Sequence, residues 1–332
     1  MPPFRKPSLT FWATLSPSVK RFVPATLKLL ISLSLFIYFS LHVDVNATLA
    51  IIVRCPPGDL LVAVALLSCS FIMGGLRWRC VLISLGQATP LILLIRLFWI
   101  GGLASQVLPN PFGDAVRISY AVKHGIGIGQ AVRSTVLERI VMILSLLTIG
   151  CLTVPLLRQF VDFPISPQLA WGLLTVVIVG VTGGAMVHWF VPTSMRRFRV
   201  VAEATKLSSD LMRFLTSRWS IPVYLLATLG NLNLVMAAVV LGQALALPIT
   251  PSGYFAVIPV ATIAMVVPVT VGGWGVREGV LIALLGAMGV LPTAALAFSV
   301  LIGLCLLASS LPAVLFLWGR RHVPSPTRIR GL

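Results

Sequence analysis

Long apolar runs separated by short charged stretches set the plan of this chain. Runs of 17 to 27 residues occupy 25–43, 60–76, 136–157, 169–190, 221–247 and 294–318. An α-helix crosses hydrocarbon in roughly 20 residues, so each run is read as a span. Two further runs, 91–108 and 253–271, end differently. Each stops in a Pro/Gly-rich break followed by charge: "LPNPFGDAVR" (108–117) after the first and "VPVTVGGWGVRE" (267–278) after the second.

The two breaks resemble each other. Aligning Pro109 with Pro268 brings Gly113 near Gly272, and Arg117 falls opposite Arg277 after one inserted residue. A glycine recurs in the next stretch of each half, Gly125 and Gly286. Two repeats follow from this, 24–160 and 161–320, flanked by an N-terminal segment 1–23 and a tail 321–332. Within the second repeat, 194–218 carries apolar residues at helical spacing with basic residues off the stripe, a pattern suiting either an amphipathic helix on the inner membrane face or a plain connector.

Charge supplies the orientation. With the N-terminus inside, the inward segments 1–24, 77–90, 191–220 and 319–332 carry 4, 2, 6 and 4 Lys/Arg, whereas the outward segments carry only Arg54 and Arg158. Basic residues stay on the cytoplasmic side, so both termini are expected there. That count closes if 91–124 enters from inside and returns while 253–290 does so from outside. The repeats would then have inverted topology with re-entrant or broken helices; ten full crossings would also keep both termini inside.

Composition agrees: 58% of residues are hydrophobic and 10% charged, with mean hydropathy +1.02. The expected fold class is an all-α integral membrane protein, a polytopic helical bundle. Net charge +17 would suggest nucleic acid in a soluble chain, but here topology accounts for it and no nucleic-acid partner is expected. The basic residues before the first run, with no small-residue cleavage site behind it, read as an uncleaved anchor. Scattered His and Cys give no metal-ligand spacing, and no nucleotide loop stands out, so no metal or cofactor is expected. "GIGIG" (125–129) reads as a flexible hairpin return, and Trp78, Trp99, Trp171, Trp189, Trp219 and Trp318 as an aromatic belt.

The chemistry concentrates at the breaks. Irregular backbone at membrane depth persists only inside protein or beside a wet cavity, which marks Pro109, Gly113, Pro268, Gly272 and Gly273 as cavity-forming positions. Charged residues there cost roughly 2.5–3.5 kcal/mol each when dry and unpaired. Asp114, Arg117, Glu138, Arg139, Arg277 and Glu278 must therefore be paired, wet or shallow. Because neighbours on a helix point about 100° apart, Arg277 and Glu278 are expected to look elsewhere, Asp114 pairing with Arg277 and Glu278 with Arg117 or Arg139. Two uses stay open: a structural charge network, or arginines that hold an anionic headgroup while carboxylates exchange protons.

At "LPNPFGDAVRISYAVKHGIGIGQAVRSTVLERIVMILSL" and "VPVTVGGWGVREGVLIALLGAMGVLPTAALAFSVLIGL" the chain resembles the lysylphosphatidylglycerol synthase transmembrane domain family, the flippase-like membrane half of the multiple peptide resistance factor. The resemblance implies movement of a phospholipid, polyisoprenoid-linked or hopanoid-type lipid between leaflets of a bacterial cytoplasmic membrane. Aminoacyl-transferring members carry a soluble catalytic domain after the membrane part, and this sequence ends 14 residues after Trp318, so it is not expected to make lysylphosphatidylglycerol itself. The alternatives are a membrane transferase acting on a lipid-linked substrate, with Asp114 or Glu278 as base, and an accessory subunit for a lipid-synthesising enzyme.

Overall fold

The computed structural model describes residues 34, 38, 41, 43–108, 112–158, 167–266 and 273–318. Pro109, Pro268 and Gly272, most of the first apolar run, and both terminal segments lie outside them. The described residues form helices without a strand: α1 (Val45–Val53), α2 (Pro57–Ser84), α3 (Leu91–Val107), α4 (Phe112–Lys123), α5 (Ile128–Leu157), α6 (Pro167–Phe190), α7 (Arg199–Leu215), α8 (Ser220–Ala244), α9 (Pro251–Val266), α10 (Val276–Ala287), α11 (Pro292–Ser310) and α12 (Pro312–Trp318). A 3-10 turn, Thr193–Arg197, precedes α7.

Five stretches are long and apolar enough to cross a membrane: Pro57–Ser84, Ile128–Thr153, Trp171–Phe190, Ser220–Ala244 and Pro292–Trp318. The protein is thus an all-α membrane protein. At 1.5 Å per residue, α3 and α9 are about 24–26 Å long and α4 and α10 about 18 Å, each short of the ~30 Å hydrocarbon layer. Instead α3 doubles back into α4, and α9 into α10, as packed helical pairs.

At the centre stands α2, which supplies Ala63 and Leu67 to one apolar core, Trp78 and Leu82 to a second, and Val81 to a third. Pro57 at its first turn and Asp59 beside it suit a helix start, where a missing N–H costs nothing and negative charge meets the dipole. Its 28 residues extend the span well past residue 76, so Arg77 lies inside the helix. Glycine notches bring α2 against α3: a Cβ on Gly74 would fall on the Phe98 ring, and one on Gly102 on the Phe71 ring. α2 also packs along α8. The first helix of each pair packs against the opposite half, α9 on α5 and α3 on α11 and α12.

Toward its C-terminal end the stripe of α7 faces protein: Leu211 and Phe214 are buried with Leu137, Val141 and Ala185 of α5 and α6, whereas Val200 at its start is exposed. Arg133 of α5 ties it down through Asp210 (2.6 Å) and Glu203 (3.2 Å). Two further expectations are corrected. The "GIGIG" return is a fixed turn, with Gly125 at φ 88°, Ile126 N–H donating to the Ala121 carbonyl and Ile126 buried, the Schellman way of ending α4. Trp78 and Trp99 are not in a belt; both are buried and donate to Ser134 Oγ and the Ser309 carbonyl.

Candidate functional site

The site begins with two glycines. A Cβ on Gly113 would meet Ser105 Oγ and, at 2.7 Å, the Gly101 carbonyl, while one on Gly101 would lie 3.0 Å from Arg117 Cβ. Only a helix lacking both side chains lets α4 lie this close on α3, and that contact turns Arg117 inward. Arg117 is 2% exposed, its guanidinium carbon 4.6 Å from the ring centres of both Trp78 and Phe98. Aromatic faces favour a desolvated cation, so α2 and α3 hold this charge as well as bury it.

Around it the ionised side chains form one chain. Arg77 donates to Glu138 Oε1 from NH2 (2.6 Å) and Nε (3.2 Å). Glu138 Oε2 stands 2.7 Å from Arg117 NH2, Arg117 reaches Asp114 at 3.3 Å, and Asp114 accepts from Arg139 Nε at 2.8 Å. Three guanidinium groups against two carboxylates leave one formal positive charge. Hydrogen-bonding capacity is also left over: the Arg117–Glu138 contact is close in distance but lacks hydrogen-bond geometry, so Arg117 Nε and NH2 and Glu138 Oε2 have no hydrogen-bond partner. Arg139 differs from the rest in that 44% of its side chain is exposed.

Arg77 and Arg139 line an open cavity of about 320 Å3 bordered by α2, α3, α5, α8, α9 and α11. Its lining combines apolar residues, Leu67, Phe71, Phe98, Leu234 and Leu306, with polar ones, Ser70, Ser105, Gln106, Asn231 and Thr262. Rising 1.5 Å per residue, Arg77 lies roughly 10 Å along α2 from its Ser84 end, inside the span rather than beyond it.

The second break is built otherwise. Gly273 and Gly275 take φ of 79° and 93°, a region open to glycine, and turn the chain into α10. Glu278 reaches back to accept the Gly275 N–H at 2.5 Å, capping the helix. Arg277 donates from NH2 (2.7 Å) and Nε (3.1 Å) to the other Glu278 oxygen and lies 3.3 Å from Ser299 Oγ, which also donates to Glu278. Trp274 covers the guanidinium at 4.4 Å, and Gly303 of α11 leaves it room.

Among the sequence-derived site residues the structure therefore joins Asp114, Arg117, Glu138 and Arg139 around Gly113, and separately Arg277 with Glu278 after Gly273. The expected pairs Asp114–Arg277 and Glu278 with Arg117 or Arg139 do not form; the ion pairs of each cluster stay within its own half. Arg277 and Glu278 serve each other although adjacent, because capping turns the carboxylate back over the helix start, within reach of a long guanidinium. Sequence reading missed Arg77, placed in a loop because charge ended the apolar run at residue 76. The unbroken helical spacing of Ala63, Leu67, Gly74, Trp78 and Leu82 was the available signal.

No curated protein matches the chain at a significant level. The family model described as the lysylphosphatidylglycerol synthase TM region matches residues 25–313, nearly the whole length, and the chain belongs to that family of membrane lipid-related proteins.

Proposed function

We propose that the protein moves a phosphate-bearing lipid between leaflets, holding its headgroup in the cavity beside Arg77 and Arg139 while the tails stay in hydrocarbon. The observation that carries this reading is the wall of that cavity, which joins an arginine cluster with one uncompensated positive charge to an apolar face. A soluble anion would need only the first, and a structural ion-pair network would need no cavity. Family membership supports a lipid as the cargo.

The packing supports two inverted repeats as the moving parts. In this reading α2, the α3–α4 pair and α5 of the first repeat (24–160) correspond to α8, the α9–α10 pair and α11 of the second (161–320). Each short pair enters from one side and returns, and exchange of pair helices between halves suits rocking about the α2–α8 contact. The basic-residue count supports a cytoplasmic position for both termini, and the family resemblance supports a bacterial inner membrane.

The test uses liposomes holding the protein and tail-labelled phosphatidylglycerol, with leaflet exposure read by an impermeant quencher. Wild type accelerates exchange over empty liposomes, and Arg139→Ala, whose exposed pair with Asp114 is worth at most about 1 kcal/mol, loses that acceleration while keeping its thermal midpoint. Exchange no faster than in empty liposomes, or unchanged in the variant, would overturn the proposal.

A further inference from the structure

A second concavity lies away from both charge clusters, where α7 folds back across α6 and α5. It is an open groove of about 420 Å3 lined by Ile140 of α5, Gly180, Gly184 and Val187 of α6, and Leu207 and Leu211 of α7. Its depth comes from the two glycines: a Cβ built on either meets nothing within 4 Å, so side chains there would occupy the space. Ser208, which also lines it, spends its hydroxyl on the protein, donating to the Ala185 carbonyl and accepting the His188 N–H. Hydrocarbon fills such a surface without stranding a hydrogen-bonding group.

One end of the groove carries charge. Val187 is followed by His188, whose carbonyl, with that of Val191, accepts from Arg196 NH2 at 3.0 and 3.2 Å, so this arginine is pinned at the end of α6. Arg197 and Arg199 follow it, and all three are exposed. Residues 191–202 hold these three arginines and no carboxylate, and the next acid, Glu203, is taken by Arg133 and Lys206. Between the arginines stand the exposed apolar side chains of Met195, Phe198 and Val200, of the kind that settle at a lipid interface. An apolar slot that ends at uncompensated arginines matches a molecule with a hydrocarbon tail and a negative head. We propose that the groove between α6 and α7 seats one anionic phospholipid of the leaflet at that end, its tail along Gly180 and Gly184 and its phosphate at Arg196, Arg197 and Arg199. There it braces α7 against α5, the helix that carries Glu138 and Arg139. Such a lipid is a resident of the fold, separate from any cargo beside Arg77, and its binding does not depend on translocation.

Two double variants test the site from its two ends. Gly180→Leu with Gly184→Leu fills the groove from within, and Arg197→Gln with Arg199→Gln removes charge while leaving Arg196 on the carbonyls of α6. The full chain in detergent is titrated with phosphatidylglycerol and phosphatidylcholine of matched tails, and retained lipid is counted by native mass spectrometry. Near an anionic surface each arginine is worth about fivefold in affinity, so wild type should hold phosphatidylglycerol at least about fivefold more tightly than phosphatidylcholine, and the arginine variant should lose most of that preference. The groove-filled variant should retain one phosphatidylglycerol fewer than wild type, with a thermal midpoint no lower, because leucine replaces the tail. Arg139→Ala, in the other cavity, should keep this lipid. Equal counts in wild type and the groove-filled variant would overturn the tail seat. A lipid preference unmoved in the arginine variant, whose substitutions are exposed and leave packing intact, would overturn the phosphate seat. A dimeric wild type beside a monomeric groove-filled variant would make a second copy the occupant and overturn the lipid altogether.

Discussion

Glu138→Gln isolates the electrostatic part of the first cluster, because it keeps an oxygen where Arg77 donates and removes only the charge between Arg77 and Arg117. Glu138 is 2% exposed, with the two guanidinium groups at 2.6 and 2.7 Å. At an effective dielectric near 20, each contact has a gross attraction of about 6 kcal/mol, and desolvation of the carboxylate takes back several kcal/mol. Stripping one partner from such a pair costs about 3–5 kcal/mol, since the orphaned charges stay buried. For a protein of 332 residues that corresponds to a fall in thermal midpoint of about 4–7 °C. Heating detergent-solubilised protein and following the size-exclusion peak measures it. A second substitution checks the cause: Arg117→Met in the Glu138→Gln background removes the buried cation that has lost its nearer counter-charge and keeps only Asp114 at 3.3 Å, so it should recover part of the loss. A midpoint within about 2 °C of wild type for Glu138→Gln, or a double variant lower than the single one by the full cost of Arg117→Met alone, would refute the account.

Other substitutions separate backbone from charge. Gly113→Ala drives a methyl into Ser105 and the Gly101 carbonyl, so α4 must lift from α3; we expect about 1–3 kcal/mol of destabilisation together with slower phosphatidylglycerol exchange in the liposome assay. Gly275→Ala forces φ 93° on a residue with a Cβ and should cost about 1–3 kcal/mol, whereas Gly286→Ala, inside α10 with open space around it, should gain up to about 1 kcal/mol; thermal midpoints of the pair distinguish them. Glu203 is held below the usual carboxylate range, first by the Lys206 hydrogen bond and then by the charges of Lys206 and Arg133. Its tie to α5 is therefore complete above the unfolded carboxylate value, about 4.3, and is lost as pH falls through the lower folded one. Amide exchange in α7 should rise relative to α8 between pH 6 and pH 3, and an unchanged ratio would count against the tie.

The large-scale plan was legible because it depends on runs. Five of the six predicted spans contain a long apolar helix, and the two odd runs became shorter apolar helices, each packed against the helix that follows it, since proline, glycine and charge at 108–117 and 267–278 end a helix wherever it lies. The carriers of the first cluster were legible too, as costly charges in apolar surroundings. Their partners were not. Pairing depends on which helices touch, and a one-dimensional pattern does not contain the α4–α5 contact or the aromatic sandwich that buries Arg117. Arg77 was hidden by the rule that charge ends a span, which fails where a long helix carries a cation toward a carboxylate. The Arg277–Glu278 pair escaped because the 100° rule describes Cα directions, whereas capping redirects the carboxylate.

That each half settles its own charges has a consequence for how the protein is made. Arg77, Asp114, Arg117, Glu138 and Arg139 all leave the ribosome before α8 begins at Ser220, yet α2 finds its main helical neighbour only in α8. At about 5–20 residues per second that gap lasts on the order of 10 s. During it, the first half can enter the bilayer with each of its arginines already touching a carboxylate of the same nascent stretch and only one positive charge left over. Had the charges been matched across the halves, every molecule would have to hold bare cations in hydrocarbon until the second half arrived.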